Sequence, residues 1–503
     1  MALPELPSRL GALDAAFLNF ECKEMPLHIG GVCVFEGAIP FERFVATIES
    51  KLDSIPRYLE RVVFPFLNIG YPTWQYDPNF DIRRHIFHGK VDAPGGLEQL
   101  RELAGRIFTP LLDRNKPLWE LYVVDGLAAG RSALICKVHH CMVDGVAGVG
   151  LMNIMLDASP EQRRLGKRKH RRPPQPPDDA TLFVEAFRDS LAQIPKRLLD
   201  TRDALLSYGS SLGGDSAAAL GLEQVVDRMP ELLSPLEHLP FNRPCSGERR
   251  VYWTEFPFAD AQAIRTACGC TVNDVVLAVV AGAVAQYTEL HGETVKNRFF
   301  RPLIPVNVRG PEESIGAFGN LISLLPVTLP LGIRDPLARV KHIHELTRAM
   351  KGARAPELLR AGLAWLGLLP PPVQAFLASN LGWLNTPIPL FHMVCTNVPG
   401  PRIPLYACGQ RMTACYPHVP TGMDVGISVA IESYDGKFYF ALTTDALAAP
   451  DGGRMIEFLE AAFKELREAA GVPGSKPRKA KRKVAQLVAD EREEIGVARQ
   501  AAR

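Results

Sequence analysis

The stretch RRLGKRKHRRPPQPPDDA, Arg163 to Ala180, limits the fold more than any other part of the chain. Mutually repelling basic side chains run into four prolines, which lack a backbone donor, so neither helix nor sheet continues through it and it reads as an interdomain linker. A chain of 503 residues is in any case too long for one core. The expected division is a first unit at 1–162, a linker and helical crossover at 163–245, a second unit at 246–472 and a charged mobile tail at 473–503.

On both sides of the break, strand-like and helix-like patterns alternate, which predicts an α/β (mixed α+β) fold. In the first unit His28 to Phe35, Trp119 to Val124 and Ala133 to His139 read as strands, and Pro40 to Leu52 and Leu97 to Leu112 as helices. Leu182 to Leu206 and Leu222 to Leu233 read as crossover helices. In the second unit the strands fall at Val251 to Phe256, Phe300 to Val308, Leu321 to Leu329, His392 to Asn397, Gly426 to Ser433 and Lys437 to Thr443. Its helices fall at Ala259 to Ala267, Val272 to Leu290, Pro336 to Lys351, Pro356 to Leu381 and Gly452 to Ala470.

Composition removes several function classes. A net charge of +2 gives no global signal for nucleic acid, and 47% hydrophobic residues exclude a generally disordered chain. The ten cysteines contain no C-x-x-C pair, so they read as reduced thiols and no metal site is expected. The N-terminus shows no secretory pattern and no apolar run reaches the ~20 residues of a spanning helix, so a cytoplasmic protein is expected.

Chemistry concentrates in SALICKVHHCMVDGVAGVGLM. An apolar strand ends in His139-His140, and Asp144-Gly145 opens a small-residue helix. An imidazole titrating near neutrality can take a proton from a hydroxyl and return it to a leaving thiolate, which makes His140 the candidate general base. Alternation sends His139 to the opposite face, which favours structural work for it. Asp144 can orient the motif or cap the helix, and Gly145 permits a close turn. A pattern H-H-x-x-x-D-G arises by chance in roughly one chain in a thousand of this size.

With these residues the sequence resembles the bacterial wax ester synthase/diacylglycerol acyltransferase family, within the wider group of chloramphenicol acetyltransferase and condensation domains. The resemblance extends to Leu13-Asp14, Phe17, Glu21 and Met25 to Gly31, then to Phe80-Asp81, His85, Pro94-Gly95 and Pro117-Leu118-Trp119-Glu120. In the second unit Asn273-Asp274, Pro305 to Arg309, Gly319-Asn320 and Asn397 to Pro401 follow in the family's order, so it covers about residues 8 to 470. Leu27, and Thr396 where the family often has serine, are departures.

The resemblance implies two chloramphenicol acetyltransferase-like domains of mixed sheet and helices, with an active-site tunnel between them. It implies transfer of a long acyl group from acyl-CoA, a substrate rather than a cofactor, to diacylglycerol or a long-chain alcohol, with no acyl-enzyme and no metal. Trp119, Asn273, Thr396 and Asn397 become candidates for substrate or oxyanion contacts, and Arg309 for a structural ion pair with Asp144. Each has a plainer reading. Trp119 suits a core, Thr271 and Asp274 form a capping box around Asn273, and Asn397 to Pro401 is a turn by composition. The apolar stretch with Trp365 and Trp383 suits either buried helices or a peripheral contact with a membrane or lipid droplet. Lys476 to Lys483, six basic residues in eight, reads as a solvated tail or an anionic-lipid contact. Two rival functions remain: a condensation-type acyltransferase with another acceptor, and a non-catalytic lipid-droplet binding protein.

Overall fold

The computed structural model describes residues 9–65, 70–143, 148, 152–161, 236–307, 322–352, 373 and 391–475. The expected helices at 182–206, 222–233 and 356–381, the linker at 163–180 and the basic run at 476–483 lie outside these, apart from Val373.

Two six-stranded mixed sheets organise the molecule. The first is built from β1 (His28–Phe35), β2 (Ile86–Lys90), β3 (Trp119–Asp125) and β4 (Ser132–His139). The second uses β5 (Arg249–Pro257), β6 (Pro302–Asn307), β7 (Ile322–Pro326) and β8 (Met393–Pro399). The chain then returns to the first sheet with β9 (Tyr406–Ala407) and β10 (Gln410–His418). It closes the second with β11 (Ile427–Tyr434) and β12 (Lys437–Asp445). The strand orders are β9-β10-β1-β4-β3-β2 and β7-β6-β8-β11-β12-β5.

The division into 1–162 and 246–472 therefore does not follow the sheets, because Gln410–His418 pairs antiparallel with β1 across the register Cys33↔Cys415. The physical reason is that β1 needs a hydrogen-bonding partner on each edge, and β4 supplies only one, through Cys33↔Leu134. Close approach on both sides is set by two glycines. A Cβ on Gly30 would lie 1.9 Å from the Cys136 carbonyl oxygen, and one on Gly31 2.9 Å from that of Tyr416.

Helices α1 (Ala12–Phe20), α2 (Phe41–Lys51) and α3 (Leu97–Phe108) belong to the first unit. The second unit contributes α4 (Phe258–Cys268), α5 (Val272–Leu290), α6 (Pro336–Gly352) and α7 (Arg454–Ala469). Helix α5 is apolar on every face and is the centre of the second core, with Val275 through Ala285 buried. Among the described residues no single helix is long and apolar enough to cross a membrane. The pair α4 and α5 passes that test together but bends by 100°, and α5 is buried in the protein.

The two units share a wall. The first core takes in Val251, Trp253, Tyr434, Tyr439 and Ala441 from the second sheet. Trp253 stacks on Tyr416 at 4.5 Å, and Tyr439 meets Tyr416 edge-on at 5.3 Å. Arg249 and Asp445, both buried, pair at 2.8 Å, and the same guanidinium donates to the Glu24 and Thr421 carbonyls.

Candidate active site

A cavity of about 450 Å3 lies between the sheets, within the roughly 300–1,000 Å3 of small-molecule sites. Strands β1, β4 and β10 form one wall, through residues such as Ile29, Val138 and Pro417, and β6, β8 and β11 the other, through Leu303, Val394 and Ala430. The lining is mostly apolar. His140, Thr396, His418, Thr421 and Glu432 are among its polar members.

His140 follows the last residue of β4 and lines the cavity. Its backbone N–H donates to the Leu27 carbonyl at 2.9 Å, and its ring stacks on Phe17 of α1 with centroids 4.2 Å apart and planes 13° apart. The imidazole is thus held in one orientation at the cavity wall by its own peptide and by an aromatic face. His139 turns away from the cavity and is fully buried. Its Nδ1 accepts from the Cys141 N–H at 3.1 Å, so any ring proton resides on Nε2, which lies 3.4 Å from Glu21 Oε1.

Glu21, part of the segment Leu13 to Gly31 that carries the family resemblance, is the anion at the centre of this cluster. Its carboxylate also lies 3.3 Å from His28 Nε2, and it accepts from Arg114 at 3.1 Å and from the Leu27 N–H at 3.1 Å. Burial raises this carboxyl, but the His139 and His28 rings beside it overcome that and hold it well below the usual carboxylate range. Burial likewise pushes the His28 imidazole down to about 4, so His28 is neutral at pH 7. One ionised carboxylate therefore grips Leu27 and His139, the two backbone neighbours of the His140 peptide.

The remaining candidates separate. Thr396 lines the cavity from β8, facing the histidine wall, while Asn397, its neighbour in an alternating strand, is not among the lining residues. Trp119 is fully buried in the first core, donates to the Tyr58 carbonyl at 2.9 Å and stacks on His85 at 4.3 Å; it does not reach the cavity. Asn273 sits in the first turn of α5 and is likewise absent from the cavity wall. Its neighbours form the capping box, with Thr271 accepting from the Asp274 N–H and Asp274 from the Thr271 N–H. Asp274 is held below the usual carboxylate range despite burial, by Thr347, His344 and Thr271. Asp144, Gly145 and Arg309 lie outside the described residues.

Two further cavity groups escaped the sequence reading. His418, at the end of β10, stacks on Phe108 at 3.7 Å and lies 3.0 Å from Thr443 Oγ1, and burial holds it well below the usual imidazole range. Glu432, on β11, is buried and lies 3.5 Å from the Cys415 thiol. Burial pushes its carboxyl up to about 7. Inward-facing polar positions of an alternating strand, which β11 is, were the available signal for it. Among the described residues no three His, Cys, Asp or Glu side chains converge as metal ligands.

Two mixed sheets with a histidine-ended strand at the cavity between them define a fold shared with known acyltransferases and condensation domains. The wax ester synthase/diacylglycerol acyltransferase from Marinobacter aquaeolei VT8 superposes with a TM-score of 0.61 at 23% identity, over 92% of this chain and all of that one. The starter condensation domain of rhizomide synthetase, solved with C8-CoA, superposes at 0.58 and 13% identity, over 94% of this chain and 96% of that one.

Sequence comparison is narrower. Residues 10–276 match the wax ester synthase/diacylglycerol acyltransferase catalytic domain, and residues 318–467 match the C-terminal domain of the same family. The Mycobacterium tuberculosis proteins named "Probable diacyglycerol O-acyltransferase" tgs1 and tgs2 are each 31% identical to this chain, over 91% of it and 96% and 98% of their own lengths. The chain belongs to the wax ester synthase/diacylglycerol acyltransferase family and is an acyltransferase of that family.

Proposed function

We propose that this chain transfers a long acyl group from an acyl-CoA thioester to the hydroxyl of diacylglycerol, or of a long-chain alcohol, with His140 as general base. The observation that carries this reading is the placement of His140, an oriented imidazole on the wall of a largely apolar cavity between the two sheets. Family membership and the names of the mycobacterial relatives support the acceptor class.

The chemistry balances without an acyl-enzyme. His140 takes the proton from the acceptor hydroxyl as its oxygen attacks the thioester carbonyl carbon. The tetrahedral oxyanion collapses, the carbon–sulfur bond breaks, and the imidazolium returns the proton to the departing thiolate, giving ester and free CoA. Base catalysis of this kind supplies about 10² to 10⁴ in rate, so positioning and oxyanion donors must supply the rest. Thr396, whose strand forms the wall opposite His140, is our candidate for an oxyanion donor. Both acceptors reside in membranes or lipid droplets, so the enzyme works at such a surface without a described helix long enough to span it.

Purified protein and His140→Ala, incubated with palmitoyl-CoA and either dioleoylglycerol or hexadecanol, test this through CoA release and neutral-lipid product. The expected result is ester from the native protein and a loss of at least ~10²-fold in a folded variant, with the better acceptor naming the physiological class. Folded native protein that forms no ester with either acceptor overturns the reading in favour of a lipid-binding role or another acceptor.

A further inference from the structure

The cavity runs well beyond the catalytic histidine. His140, Val138, Cys136 and Leu134 all line it, so it follows β4 for six residues, or ~20 Å at the ~3.3 Å rise of a strand. That is close to the length of an extended palmitoyl chain. At the distal level Leu134 pairs with Cys33, Cys33 with Cys415, and the Cys415 thiol donates to Glu432 Oε2 at 3.5 Å. Across the cavity Val398 and Glu432 stand side by side in the parallel register of β8 and β11. The long apolar tube therefore meets a carboxyl at its far end.

That carboxyl is incompletely satisfied. Glu432 is 4% exposed, and its Oε1, fully buried, has no hydrogen-bond partner among the described residues. The Cys33, Cys136 and Cys415 thiols that line the cavity with it are weak donors. A cavity meant only for saturated chains is better closed by a leucine, because a buried oxygen without a partner carries a desolvation penalty that no alkyl terminus relieves. A hydroxyl does relieve it, since a carboxylic acid both donates to and accepts from an alcohol.

We infer that Glu432 is a recognition site for a hydroxyl at the far end of a long alkyl chain, carried by an ω-hydroxyacyl-CoA or by an α,ω-diol acceptor. The inference rests on the proposed acyltransferase reading for the identity of the chain, while the carboxyl and its placement stand independently. Displacement of bound cis-parinaric acid from the full-length protein by palmitic, 16-hydroxypalmitic and 2-hydroxypalmitic acids reads it without turnover. The wild type is expected to bind the 16-hydroxy acid at least about tenfold more tightly than the other two. Glu432→Leu abolishes that preference and binds palmitic acid as well or better, and the near-isosteric Glu432→Gln keeps part of it. Equal binding of the three acids by the wild type, or a preference that neither variant changes, overturns the inference.

Turnover separates the two sources. A gain with 16-hydroxypalmitoyl-CoA over palmitoyl-CoA assigns the acyl chain, and a gain with hexadecane-1,16-diol over hexadecanol assigns the acceptor. Ester from the plain substrates with no ω-hydroxy preference in binding rejects this inference alone. A binding preference without any ester rejects the acyltransferase reading and leaves the recognition site standing.

Discussion

Glu21 shows how a residue that never touches the reacting atoms can control them. Its carboxylate accepts from the Leu27 N–H and lies against the His139 ring, while the Leu27 carbonyl accepts from the His140 N–H. Removing the charge leaves Arg114 without its carboxylate and two buried imidazoles without their common anion. Glu21→Gln is expected to destabilise the fold by about 3 kcal/mol and to lower kcat more than it raises KM, measured by chemical denaturation and steady-state kinetics. Unchanged kcat in a folded variant would confine Glu21 to a structural role. The split between the two histidines was legible, because strand alternation alone sends His139 and His140 to opposite faces. The partnership of Glu21 with His139 was not, since the two lie far apart in the chain.

Helices were more legible than strands: α2 to α7 fall where helices are expected, whereas β2, β9 and β10 do not correspond to any expected strand. His28–Phe35 and the helix at Val272–Leu290 fall where apolar patterning places them. The helix expected to reach Leu112 stops at Phe108, because Pro110 cannot supply the next backbone donor and disfavours helical geometry at Thr109. Helix α1 was missed: it is short, and its N-cap, Gly11, makes no side-chain capping bond. Strand β10 was missed because QRMTACYPH mixes polar residues with a proline, and only pairing against β1 makes it a strand. That pairing depends on the glycines of β1. Gly30→Ala would push a methyl into the Cys136 carbonyl, whereas Gly352→Ala, at the end of α6, meets nothing within 4 Å. The first is expected to cost about 3 kcal/mol in denaturant unfolding and to impair the cavity wall, and the second to be neutral or slightly stabilising. Equal stability of the two variants would mean that β1 and β4 can separate freely at Gly30.

Across the whole molecule the sequence showed strand and helix patterns alternating on both sides of the linker, but not that the first sheet borrows Gln410–His418 from beyond it, since strand pairing across such separations leaves no local pattern. The price of this shared interior is a set of buried histidines in both units. Burial pushes His28, His85 and His392 down to about 4, and holds His418 well below the usual imidazole range. The unfolded chain takes up these protons near pH 6.5, while the folded chain resists them until about pH 4, so stability is full above 6.5 and falls as pH drops through that window. Each of the first three contributes up to about 3 kcal/mol of the loss. From the ordinary carboxylate range downward Glu21 adds to it, because the unfolded chain takes up a proton there that the folded carboxyl, held low by its partners, refuses. Glu432 acts in the opposite sense: with its carboxyl pushed up to about 7, acidification from neutrality relieves a buried charge. The several histidines outweigh the raised carboxyls of Glu432 and Glu60, so Tm measured by calorimetry is expected to fall by several degrees between pH 6.5 and 4.5. Glu432→Leu removes its opposing contribution and should steepen that fall. A Tm that stays level or rises over this range would show that the buried histidines are not held neutral by the fold.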